Sequence, residues 1–237
     1  MRNKKIVTMD FTPEQRICHS LMLNAFCLKD VGLMSGKMGV LLGLTEYCRH
    51  YPNLVYQDFT DDLIDNIWSH IHNKLPIGFA EGLSGIGWGV EFLIQRQVID
   101  GTGVELCAEI DNRIMKQDPR RMDDLSLETG LEGVLYYVLV HIGGALQQQQ
   151  PVPFDRIYLD DLYAALKAVK GTELNDRMND LMQQYADYYQ YNKEPALSLS
   201  LEDLIEIEQP LDIDVVRPSY GLAKGLAGLL LKTIIYK

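Results

Sequence analysis

Apolar residues along this chain follow two habits. In the first, a helical run is apolar on nearly every side. Leu131, Val134, Leu135, Tyr136, Val138, Leu139, Val140 and Ile142 leave almost no polar face, which predicts a helix buried within the fold. In the second, a stripe recurs every three or four residues with polar residues opposite. Phe59, Leu63, Ile64, Ile67, Trp68 and Ile71 form such a stripe, backed by Asp61, Asp62, Asp65 and Asn66. Val104, Cys107, Ile110 and Ile114 form another, and Leu159, Leu162, Tyr163, Leu166 and Val169 a third. These read as outer helices with one solvated side. Strand-like stretches are confined to Ile6–Thr8 and Ile213–Val215, so the fold class is all-α.

The apolar helices share a signature. A Gly-x-x-Gly opens each of Ser35–Leu42, Glu81–Trp88, Thr129–Tyr136 and Lys224–Leu231. The first glycines are Gly36, Gly82, Gly130 and Gly225, spaced by 46, 48 and 95 residues. The last gap is close to twice the others, which places a degenerate repeat near residue 177, with Leu174, Met178, Leu181, Tyr185 and Tyr188 as its inner stripe. A short helix over Leu201–Ile207, capped by Ser200 and Asp203, is expected after it.

Pairing outer with inner helices gives about five hairpins, near 12–50, 57–97, 102–147, 156–191 and 199–237, in one domain spanning 1–237. An open helical array needs polar ends. The last helix instead carries Leu226, Leu229, Leu230, Leu231, Ile234 and Ile235. It therefore needs a neighbour, and the expected architecture is an α/α toroid closed against the helix at 12–28.

Each glycine inside a helix costs about 0.5–1 kcal/mol relative to alanine. Two readings explain their retention. One is close approach of neighbouring inner helices. The other is a mouth lined by backbone N–H groups, where converging helix N-termini hold an anion.

Composition narrows the partners. With 33 acidic and 22 basic residues the formal net charge is −11. Such a chain lacks the basic footprint that nucleic acid requires, and anionic membranes repel it. It suits a basic peptide better. The basic start, Met1 to Asp10, has no apolar run behind it, and no stretch is apolar enough for a membrane span. Cys18, Cys27, Cys48 and Cys107 form no CxxC pair and are expected to be buried, reduced thiols, in keeping with a cytoplasmic location.

The glycine motifs resemble those of the lanthionine synthetase C-like (LanC-like) family. The resemblance rests on Gly32–Gly39, Gly78–Ile86 and Tyr220–Leu229. It implies an α/α toroid. Active members bind a ribosomally made precursor peptide and add a cysteine thiol to a dehydrated serine or threonine, using zinc held by two cysteines and a histidine. This chain departs from that pattern. No cysteine follows Cys107, and His141 is the one later histidine. Lys224 stands where the family often has histidine, and Gly78 falls where it has an aspartate. No zinc or other cofactor is therefore expected. His70 and His72, two apart on a helix, point to different faces and do not make a ligand pair.

The resemblance implies a zinc-free LanC-like protein that binds a peptide substrate or a peptide-modifying enzyme. Its candidate ligand residues are Lys224, Tyr220, Glu81 and Glu128 with Gly36, Gly82, Gly130 and Gly225. The expected ligand is anionic, held by Lys224 and the helix N-termini; an internal bridge from Lys224 to Glu81 or Glu128 is the alternative. A second function class is a saccharide-processing enzyme using two carboxylates. Its candidates are Glu81, Glu128, Asp123 and Asp124, with Trp88, Tyr220 or the cluster Tyr185, Tyr188, Tyr189 and Tyr191 as stacking surfaces.

Overall fold

A computed structural model describes residues 11–71, 75–169, 174–206 and 219–235. Among these residues there are ten α-helices, two 3-10 turns and no strand. The strand-like stretches at Ile6–Thr8 and Ile213–Val215, and His72, lie outside the described residues.

The helices are α1 (Pro13–Ala25), α2 (Lys37–His50), α3 (Leu54–His70), α4 (Leu83–Gln95), α5 (Gly103–Leu106), α6 (Ala108–Ile114), α7 (Leu131–Gln147), α8 (Arg156–Ala168), α9 (Asp176–Tyr191) and α10 (Leu226–Ile235). Their starts fall into two groups. Helices α1, α3, α5, α8 and α9 begin on a side-chain cap: Thr12, Asn53, Thr102, Asp155 and Asn175. Thr12 and Gln15 close a full capping box. Helices α2, α4 and α7 instead begin on Gly36, Gly82 and Gly130, with no side-chain cap.

The glycine-capped helices are the buried ones. Every residue of α4 from Leu83 to Leu93 is buried, and so is every residue of α7 from Leu131 to Ala145. On α3 only Thr60, Leu63 and Ile67 are, and Phe59, Ile64, Trp68 and Ile71 are half-covered. Helix α10 packs on α2 and α1, α2 on α4, α4 on α7, and α7 on α9. Small residues let α2 and α10 approach: a Cβ at Gly43 would lie 3.1 Å from that of Ala227.

The degenerate repeat is α9. Met178, Leu181 and Tyr185 are buried as the stripe predicts, but the helix starts on Asn175. Of the helix expected over Leu201–Ile207, whose last residue lies outside the described ones, the structure shows one 3-10 turn, Glu202–Leu204, without a side-chain cap from Ser200 or Asp203. Leu201 and Leu204 are buried all the same, so burial there needs no full helix. The outer helix of the third hairpin breaks at Cys107 into α5 and α6. Three cysteines are buried as expected, but Cys27, just past the end of α1, is exposed.

Candidate functional site

The loops before the glycine-capped helices are copies of one structure. The first helical N–H bonds back to the carbonyl six residues before the motif glycine: Lys37 to Asp30, Leu83 to Pro76, Leu131 to Asp124 and Leu226 to Ser219, all at 2.9–3.0 Å. In three copies the next N–H does the same one residue on, as Met38 to Val31, Ser84 to Ile77 and Ala227 to Tyr220. The loop thus caps its own helix with carbonyls. The motif glycine is needed because a Cβ at Gly36, Gly82, Gly130 or Gly225 would collide with that loop's own backbone.

This alters the expected anion site. The foremost N–H groups behind Gly36, Gly82, Gly130 and Gly225 are already engaged, so an anion at the mouth would have to displace protein carbonyls. Lys224 is exposed and paired with Glu206 at 2.9 Å, not with Glu81 or Glu128. Glu81 and Glu128 are both exposed, and among the described residues neither makes an ion pair. Tyr220 is half-buried.

The four loops are joined to one another through the residue two before each motif glycine. Glu206 N–H donates to the Ala223 carbonyl at 2.8 Å, Ala223 to Met34 at 3.0 Å, Met34 to Ala80 at 2.8 Å, and Ala80 to Glu128 at 2.9 Å. The spatial order of the repeats is therefore last, first, second, third. Side chains close two of the loops from within. Asp30 accepts from Gly32 N–H at 2.7 Å and Ser35 Oγ at 3.0 Å. Asp124 does the same with Ser126 N–H at 2.8 Å and Thr129 Oγ1 at 2.5 Å. The Thr129 hydroxyl, then the Ser126 N–H, hold the Asp124 carboxyl below its usual range. Asp124 is thus committed to its loop, which removes it from the carboxylate pair considered for saccharide chemistry.

Trp88, Tyr185 and Tyr189, considered for that chemistry, are committed as well, whereas Tyr191 is exposed. Trp88 and Tyr185 are wholly buried. Tyr185 donates to the Leu159 carbonyl at 2.8 Å and Tyr189 to Asp160 at 2.7 Å, while Tyr189 stacks on Tyr163 with centroids 4.1 Å apart. These contacts join α9 to α8.

A second polar group lies in the core, and its members come from three helices. His141 of α7 bonds through Nδ1 to Glu91 Oε1 of α4 at 2.5 Å, and through Nε2 to Asp111 Oδ2 of α6 at 3.0 Å. Tyr137, one turn before His141, donates to Asp111 Oδ1 at 2.6 Å and stacks on the imidazole. All four residues are at most 2% exposed. Space for the Glu91 carboxylate comes from Gly103 and Gly144, where a Cβ would strike it. Burial is the largest influence on His141 and works against its charge. Hydrogen bonds to Asp111 and Glu91 outweigh it and raise the imidazole to about 9. At neutral pH the imidazole between Glu91 and Asp111 is therefore held in its charged form.

Full burial keeps a substrate from this imidazole, so the network holds α4, α6 and α7 together and the loop layer above them is the candidate site. Among the described residues no three histidine, cysteine, aspartate or glutamate side chains converge as a metal site needs. Burial pushes the Cys18 thiol up to about 12 and Cys48 up to about 11, far from the low values of reactive thiols. His70 is exposed at the end of α3, bonded to the Asn66 carbonyl at 2.7 Å. No helix among the described residues is long and apolar enough to cross a membrane. Comparison with protein-family models, with curated proteins and with solved structures returns no match.

Sequence reasoning missed Glu91, Asp111 and Tyr137. The available signal was a charged residue inside an apolar helix. Glu91 sits in Leu83–Gln95 with no other charge, and His141 sits likewise in α7 beyond Glu132.

Proposed function

We propose that this chain is a zinc-free LanC-like protein, folded as an α/α toroid, that binds a cationic peptide on its glycine-loop face as an accessory in ribosomal peptide modification. One observation carries the reading: the loop bridges run without interruption from the last repeat through the first to the third. The bridge from Ala223 to Met34 joins the two ends of the repeat sequence, which is what a closed ring needs. It also puts every motif loop on one face.

The charge of that face sets the ligand's sign. Glu81 and Glu128 are exposed and make no ion pair among the described residues, while Glu206 offsets Lys224. On a chain of net charge −11, this favours a cationic peptide over the anionic ligand expected from Lys224 and open helix termini. The saccharide reading keeps Glu81 and Glu128 but loses Asp124, Trp88 and Tyr185 to internal contacts.

Calorimetric titration at low salt tests this. Decalysine is expected to bind and to weaken as salt is raised, and decaglutamate is expected not to bind. Binding of decaglutamate, or of neither peptide, overturns the reading.

A further inference from the structure

At the far end of α2 and α4 from the glycine loops lies a cleft of about 460 Å³. Its lining comes from the last turns of α2, the first half of α3 and the chain just past α4. Thr45, Cys48 and Thr60 are buried and form its floor. Arg49, Asp58, Asp61 and Arg96 are exposed and stand around it. A cleft of this size is in the range that holds small organic ligands.

The hydroxyl of Thr45 is buried and has no hydrogen-bond partner among the described residues. It does not even bond back to a carbonyl of its own helix, which a helical threonine can do. The other hydroxyl of the floor, that of Thr60, donates to the Gln57 carbonyl at 2.7 Å. The repeat sharpens the contrast. Thr45 lies nine positions after Gly36, and Glu91 lies nine after Gly82. Leu139 and Ile234 hold this register in the other two copies. The polar group of α4 is satisfied from within, by His141 at 2.5 Å. That of α2 is not, and an unmet buried hydroxyl costs about 1–3 kcal/mol. Threonine has two χ1 rotamers in a helix, so a group in the cleft can draw the hydroxyl towards itself.

The charges around the cleft are not neutralised by one another. Arg49 and Arg96 both approach one oxygen of Glu46, at 3.1 and 3.4 Å, so a single carboxylate serves two guanidiniums. Arg96 is fixed further by the Phe92 ring, 5.1 Å from its centroid. Asp58 and Asp61, one turn apart on α3, make no ion pair among the described residues. Two cations from α2 and α4 and two anions from α3 thus surround an unmet hydroxyl.

We propose that this cleft binds a small zwitterion of dipeptide size. Its carboxylate meets Arg49 and Arg96, its ammonium meets Asp58 and Asp61, and its peptide group reaches the Thr45 hydroxyl. Guanidiniums take a carboxylate through charge-assisted N–H donors. A simple anion or a simple cation would leave one set of charges unmet and be repelled by the other. A free amino acid carries both charges but has no polar group between them for the floor.

Calorimetric titration of the whole chain at low salt tests this with alanylalanine, its N-acetyl form and its C-terminal amide. Alanylalanine is expected to bind at millimolar concentration, and loss of either charge is expected to weaken it by about fivefold. Thr45→Val removes the hydroxyl and keeps a similar shape. It is expected to weaken alanylalanine by about fivefold. The melting temperature should stay level or rise, since no internal partner is lost. Asp58→Asn and Asp61→Asn together are expected to weaken alanylalanine but not its N-acetyl form. Absence of alanylalanine binding overturns the site, and so does equal binding of the three compounds or equal binding by Thr45→Val. A melting temperature lowered by Thr45→Val would give the hydroxyl a structural role and overturn it as well. The cationic-peptide reading concerns the other end of these helices and stands or falls on decalysine alone.

Discussion

The loop layer and the core network both hold α4 and α7, by opposite means. In the loop layer, backbone bonds to backbone, and the side chains matter mainly by being absent. Gly32, Gly78 and Gly221 stand where a neighbouring loop comes within 2.3–2.8 Å of the place a Cβ would take. In the core network the backbone is silent, and four side chains from α4, α6 and α7 do the joining. Backbone bridges tolerate any side chain that fits. A buried ion network tolerates almost none, because a charge left without its partner in a low-dielectric interior is costly. The two regions should therefore respond differently to substitution.

The largest effect is expected in the core. His141→Ala leaves the Glu91 and Asp111 carboxylates buried without their shared cation. The expected loss is about 3–5 kcal/mol, read from urea unfolding. A loss below about 1 kcal/mol would mean that the carboxylates are neutral or solvated, and the contrast between the regions would fail.

The same residue gives a pH signature. The folded imidazole is raised to about 9, above the roughly 6.5 of an unfolded histidine. Its contribution is fully present below the unfolded value and is lost as pH rises through the folded one. Melting temperature should therefore fall between about pH 6.5 and 9.5 in the wild-type protein, with a smaller fall in His141→Gln. Equal slopes in the two proteins would place the titration elsewhere.

The loop layer should show an intermediate effect that depends on register. Gly32→Val forces a side chain into the backbone at Glu81 and is expected to cost about 1–3 kcal/mol. The equivalent position of the third loop is Ser126, which carries a side chain already. Ser126→Ala there should cost only its local hydrogen bonds, about 1 kcal/mol or less. Equal costs at the two positions would mean that the close approach at Glu81 does not decide the effect. Smallest of all is Lys224→Ala. Its pairing with Glu206 is an exposed ion pair, and the thermal midpoint should move by less than about 1 kcal/mol equivalent.

The repeat, the buried inner helices and the all-α class were legible in the chain because each leaves a periodic trace. Gly36, Gly82, Gly130 and Gly225 mark the helix starts directly, and the stripe through Met178, Leu181 and Tyr185 locates the repeat that lost its glycines. What the glycines do was not legible. Sequence places them at helix starts, where open N–H groups are expected, and cannot say that carbonyls six residues back fill those positions. Nor does it pair Lys224 with Glu206 in preference to Glu81 or Glu128, since that choice depends on which loop edge faces which.

Local pattern thus determined which segments are helical, which are buried and where each unit begins, because helix burial repeats every three to four residues and steric need for glycine is local. Tertiary structure alone decided the order of the loops and the meeting of Glu91, Asp111 and His141. Those residues stand 20, 30 and 50 positions apart. Contacts across such separations leave no period in the chain and exist only once the helices are packed.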